Sequence, residues 1–188
     1  GRVWDLTVLD YLIVDDFEGY TDYEGSLIYE AWLDGLGSGS SGSVVGNMEP
    51  PYAELDIVNS GSTQAMPFDY NNVKSPHYSE AELGFSSAQD WTDYGVANLV
   101  LFVCGSLPAD GLYVKVQDSS GKSAMVTYPA PTTLVSTAYT EWSIPLSSFN
   151  GVSLRKVEKR CVGVGNPTTP TAGGSGRVYF DDIRLTIP

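Results

Sequence analysis

Ligating side chains of the soft kind are almost missing from this chain of 188 residues, which has one histidine, His77, and two cysteines, Cys104 and Cys161. That excludes His-based metal clusters and Cys-type zinc sites, and leaves His77 as the sole base for any Ser-His or Cys-His catalysis. Basic residues are scarce too: 10 Lys and Arg stand against 23 Asp and Glu, a formal net charge of −13. Such a surface repels phosphate backbones, and the one basic cluster, Arg155, Lys156, Lys159 and Arg160, is interrupted by Glu158, so nucleic acid is excluded as a partner. Long apolar runs are absent. Val96 to Cys104, with Asn98 inside it, and Tyr11 to Val14 fall far short of the roughly 20 residues of a membrane helix, which excludes membrane insertion by that route. Gly1 stands where a Met or a signal peptide would open a chain, and the sequence reads as a piece of a longer protein.

What is present is ample for a core. Hydrophobic residues make up 42% and charged residues 18%, which argues against disorder and for one domain at this length. Helical periodicity is nearly lacking. Short alternating or Val-, Ile-, Phe- and Tyr-rich runs recur between Gly, Pro, Ser and Asn clusters, an all-β pattern. Strands are predicted over Leu12 to Glu18, Leu27 to Trp32, Ala53 to Val58, Ala65 to Tyr70, Ser79 to Phe85, Val96 to Cys104, Leu112 to Gln117, Ser123 to Tyr128, Thr140 to Ile144, Cys161 to Gly165 and Val178 to Leu185. So many short strands suggest a sandwich. Asp118-Ser119-Ser120-Gly121 reads as a hairpin turn, and helical turns fit only Pro145 to Phe149 or Leu154 to Lys159. Residues 1–12 are a lead-in or first strand, and 13–188 a single module.

Gly37-Ser38-Gly39-Ser40-Ser41-Gly42 has the spacing of a dinucleotide fingerprint, with Asp56 downstream. The chemistry needs a helix N-terminus aimed at the pyrophosphate, and the sequence up to Pro50-Pro51 supplies none, so a flexible surface loop is expected from Gly35 to Gly46. Carboxylates cluster near both ends of the chain: Asp15, Asp16 and Glu18, then Asp181 and Asp182. If the terminal strands meet, as chain ends often do, these acids converge and call for a cation such as calcium, which takes hard oxygen ligands and backbone carbonyls, here from Gly35 to Gly46. From spacing alone, acids that simply face solvent rank first.

Aromatic residues are plentiful, with 4 Trp, 12 Tyr and 6 Phe. Sugar rings stack C–H faces on aromatic rings, while carboxylates and amides take their hydroxyls. Alternation sets Tyr78, Glu80 and Glu82 on one strand face, and Tyr113, Lys115 and Gln117 on another. Tyr70, Tyr78, Glu80, Glu82, Tyr113 and Gln117 are the candidate ligand-binding residues, against the alternative of ordinary solvated faces. Trp91 and Trp142 are expected in the core. Paired acids, Glu80 with Glu82 or Glu30 with Asp34, would be the starting point for a glycosidase, but neighbours on one strand lie side by side and do not flank a cleft. Cys104 and Cys161 end and begin strands; a disulfide suited to an exported protein and two buried thiols stay equally open.

Four segments, taken in order, resemble the galactose-binding-domain-like jelly rolls, and within them the carbohydrate-binding modules of the β-glucan-binding kind. They are Asp15-Asp16-Phe17-Glu18-Gly19; Asp90-Trp91-Thr92-Asp93-Tyr94-Gly95 leading into Leu99-Val100-Leu101-Phe102-Val103-Cys104-Gly105; Glu141-Trp142-Ser143-Ile144-Pro145-Leu146-Ser147-Ser148-Phe149; and Val178-Tyr179-Phe180-Asp181-Asp182-Ile183-Arg184-Leu185. The resemblance implies a two-sheet antiparallel β-sandwich of jelly-roll type, with a structural calcium tying the first strand to the last. It implies Glu18 and Asp181 as side-chain ligands, with Asp16 and Asp182 contributing, and a sugar bound on the concave sheet.

The chain is thus expected to be a monomeric, non-catalytic module of a larger secreted or cell-surface protein, binding polysaccharide beside its flanking domains. The alternative is a structural or protein-interaction domain with the same fold and no sugar site. The Gly/Ser loop and the Asn47 to Tyr52 segment that follows it are expected to reshape or block the groove.

Overall fold

The alternating runs become strands of two antiparallel sheets in a computed structural model that describes residues 10–106, 111–129 and 135–188. In chain order the elements are β1 (Tyr11–Asp15), α1 (Ile28–Ala31), β2 (Trp32–Leu33), β3 (Ser43–Val45), β4 (Met66–Asn71), β5 (Tyr78–Gln89), β6 (Asn98–Ser106), β7 (Leu112–Asp118), β8 (Ser123–Thr127), β9 (Val135–Pro145), β10 (Val157–Gly165) and β11 (Ser175–Thr186). One sheet runs β3-β4-β11-β6-β9, with β1 also on β11; the other runs β2-β5-β10-β7-β8. This is the all-β, two-sheet sandwich that the alternation predicts. Of the expected lead-in, residues 1–9 lie outside the described residues.

Apolar side chains on alternate positions fill the space between the sheets. Phe68 and Phe180 from one sheet meet Leu112, Val114, Val162 and Val164 from the other in a single cluster that includes Trp32, Trp91 and Trp142. Full burial of each such aliphatic or aromatic side chain is worth roughly 1.5–3 kcal/mol. Asn72, itself buried, donates from Nδ2 to the Val164 carbonyl at 3.1 Å and ties the sheets together at one end. The chain's two ends also meet, since Tyr11 pairs with Thr186 and Leu12 with Leu185.

Three expectations change. Leu27 to Trp32 is a helical turn followed by a two-residue strand, because Glu30 Oε2 accepts the Gly25 and Leu27 amides at 2.8 and 3.1 Å and closes the turn. Ala53 to Val58 forms only a bridge, Glu54 to Ala65. The Gly/Ser loop is docked, and its end forms β3. Ser43 Oγ donates to the Glu80 carbonyl at 2.6 Å, Ser41 Oγ to the same carbonyl at 3.0 Å, and the Gly42 amide to the Tyr78 carbonyl at 2.9 Å. Its glycines serve close approach: a Cβ on Gly35 would stand 2.0 Å from the Ser41 carbonyl oxygen. Cys104 and Cys161 lie in different sheets as buried, unjoined thiols, which decides against the disulfide.

Candidate functional site

Antiparallel register lines the outward side chains of the five-stranded sheet into rows. Glu80, Gly163, Tyr113 and Thr127 stand across β5, β10, β7 and β8; Leu33, Glu82, Cys161, Lys115 and Met125 form the next row; Gly84, Lys159, Gln117 and Ser123 the third. Gly163 supplies the floor. A Cβ there would stand 2.4 Å from Tyr113 Cζ, so only glycine lets the tyrosine ring lie across β10. The Tyr113 hydroxyl then donates to Glu80 Oε2 at 2.7 Å, and Lys115 Nζ to Glu80 Oε1 at 2.6 Å. Lys159 Nζ donates to Glu82 Oε1 at 2.9 Å.

The electrostatics follow from this network. Burial, reinforced by Glu80, raises the Tyr113 phenol far above its ordinary range, so it is a fixed hydrogen-bond donor. Burial works against the Lys115 ammonium, but the Glu80 and Glu82 carboxylates hold its pKa above normal. The Cys161 thiol is pushed up by burial and by Glu80, and stays protonated. The result is a face of anchored phenol, ammonium and carboxylate groups, the types that bind hydroxyls.

Of the six candidate ligand residues, five share this sheet, though not in the same condition. Glu80, Glu82 and Gln117 stand outward, and Tyr78, at the edge, donates from its hydroxyl to the Ser40 carbonyl at 2.9 Å. Tyr113 is 0% exposed, which makes it a support for Glu80 and not an open stacking platform. Tyr70 stands apart. It belongs to β4 of the other sheet, where its ring points inward with Phe68 and lies over Gly176 in the core.

Three of the four candidate metal ligands, Asp16, Glu18 and Asp182, line one cavity, and the fourth, Asp181, is buried next to Asp182. Pairing of β1 with β11 brings the first and last strands side by side, and the register is irregular at Ile13/Asp15 and at Asp181/Arg184, beside these acids. Phe17 and Asp182 there adopt φ of 63° and 47°, left-handed values uncommon outside glycine. Sequence reasoning missed what lies among these acids: the loop 59–64, and not Gly35 to Gly46, which sits on β5. Asp181 accepts the Asn59 amide at 2.8 Å and Ser62 Oγ at 3.2 Å, and Asp182 accepts Asn59 Nδ2 at 2.7 Å. Glu18 accepts the amides of Thr63 and Gln64 at 2.7 and 3.1 Å and the Thr63 hydroxyl. Asp16, Glu18 and Asp182 line a cavity of about 300 Å³ beside this loop. Burial, with Asp182 alongside, pushes the Asp181 carboxyl up to about 6 against the pull of its donors. Among the described residues no three His, Cys, Asp or Glu side chains are grouped tightly enough to hold a metal ion by themselves.

Asp15, grouped by the sequence with the other terminal acids, is tied instead into a network of its own. It accepts Trp32 Nε1 at 2.9 Å and the Tyr20 hydroxyl at 2.7 Å, and pairs with Arg160 at 3.4 Å. No helix among the described residues is long and apolar enough to cross a membrane.

Solved structures of the same architecture are known. A family 11 carbohydrate-binding module of the cellulosomal cellulase Lic26A-Cel5E of Clostridium thermocellum is 14% identical, with a TM-score of 0.57 over 97% of each chain. What is shared is the fold. An exo-β-agarase superposes with a TM-score of 0.65 at 12% identity over 96% of this chain, which spans 25% of that one. A family 30 carbohydrate-binding module of a C. thermocellum cellulosomal cellulase gives 0.53 at 15% identity, covering 78% of this chain and 92% of that one. The family 11 module is also known in complex with a β-1,3-1,4-mixed-linked tetrasaccharide. No protein-family model and no curated protein sequence matches the chain.

Proposed function

We propose that the chain is a non-catalytic carbohydrate-binding module of a larger secreted or cell-surface protein, taking a neutral polysaccharide on the outward, concave face of the five-stranded sheet. The observation that carries this reading is the anchored network of Glu80, Tyr113 and Lys115 beside Glu82 and Lys159. Their side chains are held in place by one another, so binding hydroxyls costs little ordering entropy. The fold shared with carbohydrate-binding modules supports it. A non-catalytic role is supported by the placement of Glu80 and Glu82, which lie on one strand, each bound to a lysine, and do not face each other across a bond.

A structural calcium belongs to the same reading. Glu18, Asp181, Asp16 and Asp182 would hold it, with carbonyls of the 59–64 loop completing an oxygen shell. Its support is the fully buried Asp181, whose raised pKa marks a carboxylate short of positive charge. When bound, calcium supplies charge neutralisation that fastens β1, β11 and the loop to one another.

Native affinity electrophoresis against soluble β-glucans, xylan, mannan, pectins and sulfated algal polymers is the test. Retardation by a neutral polymer, weakened by Glu80→Ala in a folded variant, is the expected result. Free migration of folded protein in every gel would instead favour the structural or protein-interaction reading, with the same fold and no sugar site.

A further inference from the structure

A second concavity lies at the edge where the two sheets meet, between α1, β2, β3 and the segment from Asn47 to Tyr52. It holds about 470 Å³, within the range of small-ligand sites, and its walls include Tyr29, Tyr52, Leu33, Leu36, Met48 and Asp34. Leu33, Leu36 and Met48 are 58%, 59% and 70% exposed, so their apolar surface is left to water around one hollow.

The walls are fixed from behind. Glu30 closes the turn that carries Tyr29. Asp34 accepts the Leu36 amide at 2.8 Å and the Val45 amide at 2.7 Å, which pins the loop to β3. Tyr52 is held at both ends, its amide donating to Asp22 at 2.9 Å and its carbonyl accepting the Asn47 amide at 2.8 Å. Asn47 is itself clamped by Arg177 Nη1 at 2.8 Å, and Arg177 by Asp69. Tyr29 and Tyr52 meet edge to face, at 87° and 5.2 Å between centroids. A hollow braced this way needs little rearrangement to take a ligand.

Its chemistry narrows the ligand. Asp34 is the only charged side chain on the wall, in a chain of net charge −13, so anions are repelled. Each Asp34 oxygen has accepted one amide and has room for a further donor. A fully hydroxylated sugar would press its other hydroxyls against aliphatic carbon and lose their hydration. A ring with one hydroxylated edge for Asp34 and one apolar edge for Leu33, Leu36 and Met48, its C–H face on a tyrosine, matches every wall. We propose that this hollow is a second saccharide subsite, for a neutral sugar residue with a deoxy, anhydro or O-methyl edge. It adjoins the sheet face through Leu33, the register partner of Glu82, but does not rest on binding there.

The test is methyl-detected NMR of the whole protein titrated with the methyl glycosides of fucose, 3,6-anhydrogalactose and 6-O-methylgalactose, with that of galactose as the fully hydroxylated reference. Saturable shifts at the Leu33, Leu36 and Met48 methyls are expected, with a dissociation constant for at least one apolar-edged sugar about tenfold below that of galactose. Leu36→Asp, at an exposed position, should abolish the shifts at the remaining Leu33 and Met48 methyls while leaving the protein folded by its melting temperature. Absence of saturable shifts with all of the sugars, or equal affinity for all, overturns the proposal. Shifts at these methyls on raising protein concentration alone would also overturn it and assign the hollow to a second copy of the chain.

Discussion

Arg160 is 1% exposed, and its guanidinium lies between the rings of Trp32 and Phe85, 5.0 and 5.1 Å from their centroids. Nε and Nη1 have no hydrogen-bond partner; Nη2 reaches the Val14 carbonyl at 3.2 Å and Asp15 at 3.4 Å. Burial lowers its pKa to about 10, which still leaves it charged at neutral pH. Cation–π contact and Asp15 offset the desolvation. Arg160→Ala removes both the packing and the partner of Asp15, and denaturant unfolding should show a loss of about 3–5 kcal/mol. Arg160→Met, which still fills the space between the rings, should lose clearly less. Asp118 acts at the β7–β8 turn of the same sheet. The Ser153 amide above all, with those of Ser120 and Lys122, holds its carboxyl below the usual carboxylate range. A depressed pKa contributes stability above the ordinary carboxylate value that disappears as pH falls through the folded one. Melting curves of Asp118→Asn below about pH 4 should therefore fall less steeply with acid than those of the parent.

The sequence makes legible the cleanly alternating Leu112 to Gln117 and the β-rich run Ser123 to Tyr128, which appear within a residue of their expected bounds as β7 and β8. The elements it conceals depend on partners. Ser43–Val45 is a strand only because β4 and the Glu80 carbonyl are beside it, and nothing in a Gly/Ser run announces such a docking. Ala53 to Val58 has strand-forming residues but finds only one bridging partner. Tyr70, a candidate ligand residue by alternation alone, faces the core, and Asp69 is the polar position of β4 and takes Arg177. Gly163 offers the sharpest test at this scale. Gly163→Ala should expel the Tyr113 ring and break its bond to Glu80, costing about 1–3 kcal/mol in thermal or denaturant unfolding and raising tyrosine accessibility to quenchers.

Over the whole molecule, the acids of the candidate calcium site come from opposite ends of the sequence, and the pairing of the first and last strands that carry them was readable through the ordered resemblance of the four segments. The loop 59–64 was not, because Ser-Gly-Ser has the composition of any turn. If calcium sits there, chelation removes a ligand of the folded state alone. At one hundred times its dissociation constant calcium contributes about 2.7 kcal/mol, which for a domain of this size is roughly 5–10 °C of melting temperature. Differential scanning calorimetry with and without chelator should show that drop, and Glu18→Gln should abolish most of it. An unchanged melting temperature would remove calcium from the account.

The pairing of β1 with β11 has a mechanical side as well. Tyr11 and Thr186 are opposite each other at the same end of an antiparallel pair. Tension applied through the two ends of the chain therefore loads the Tyr11–Thr186 pair first and then the next, so that the hydrogen bonds open in turn like a zip. A pair pulled lengthwise would share the load among all its bonds. The pair releases at low force, and β1 peels away before the core shears. In a single-molecule pulling trace that gives an early, soft step ahead of the main rupture. A cation bridging Glu18 and Asp181 would sit at the far end of the zip, as its stop.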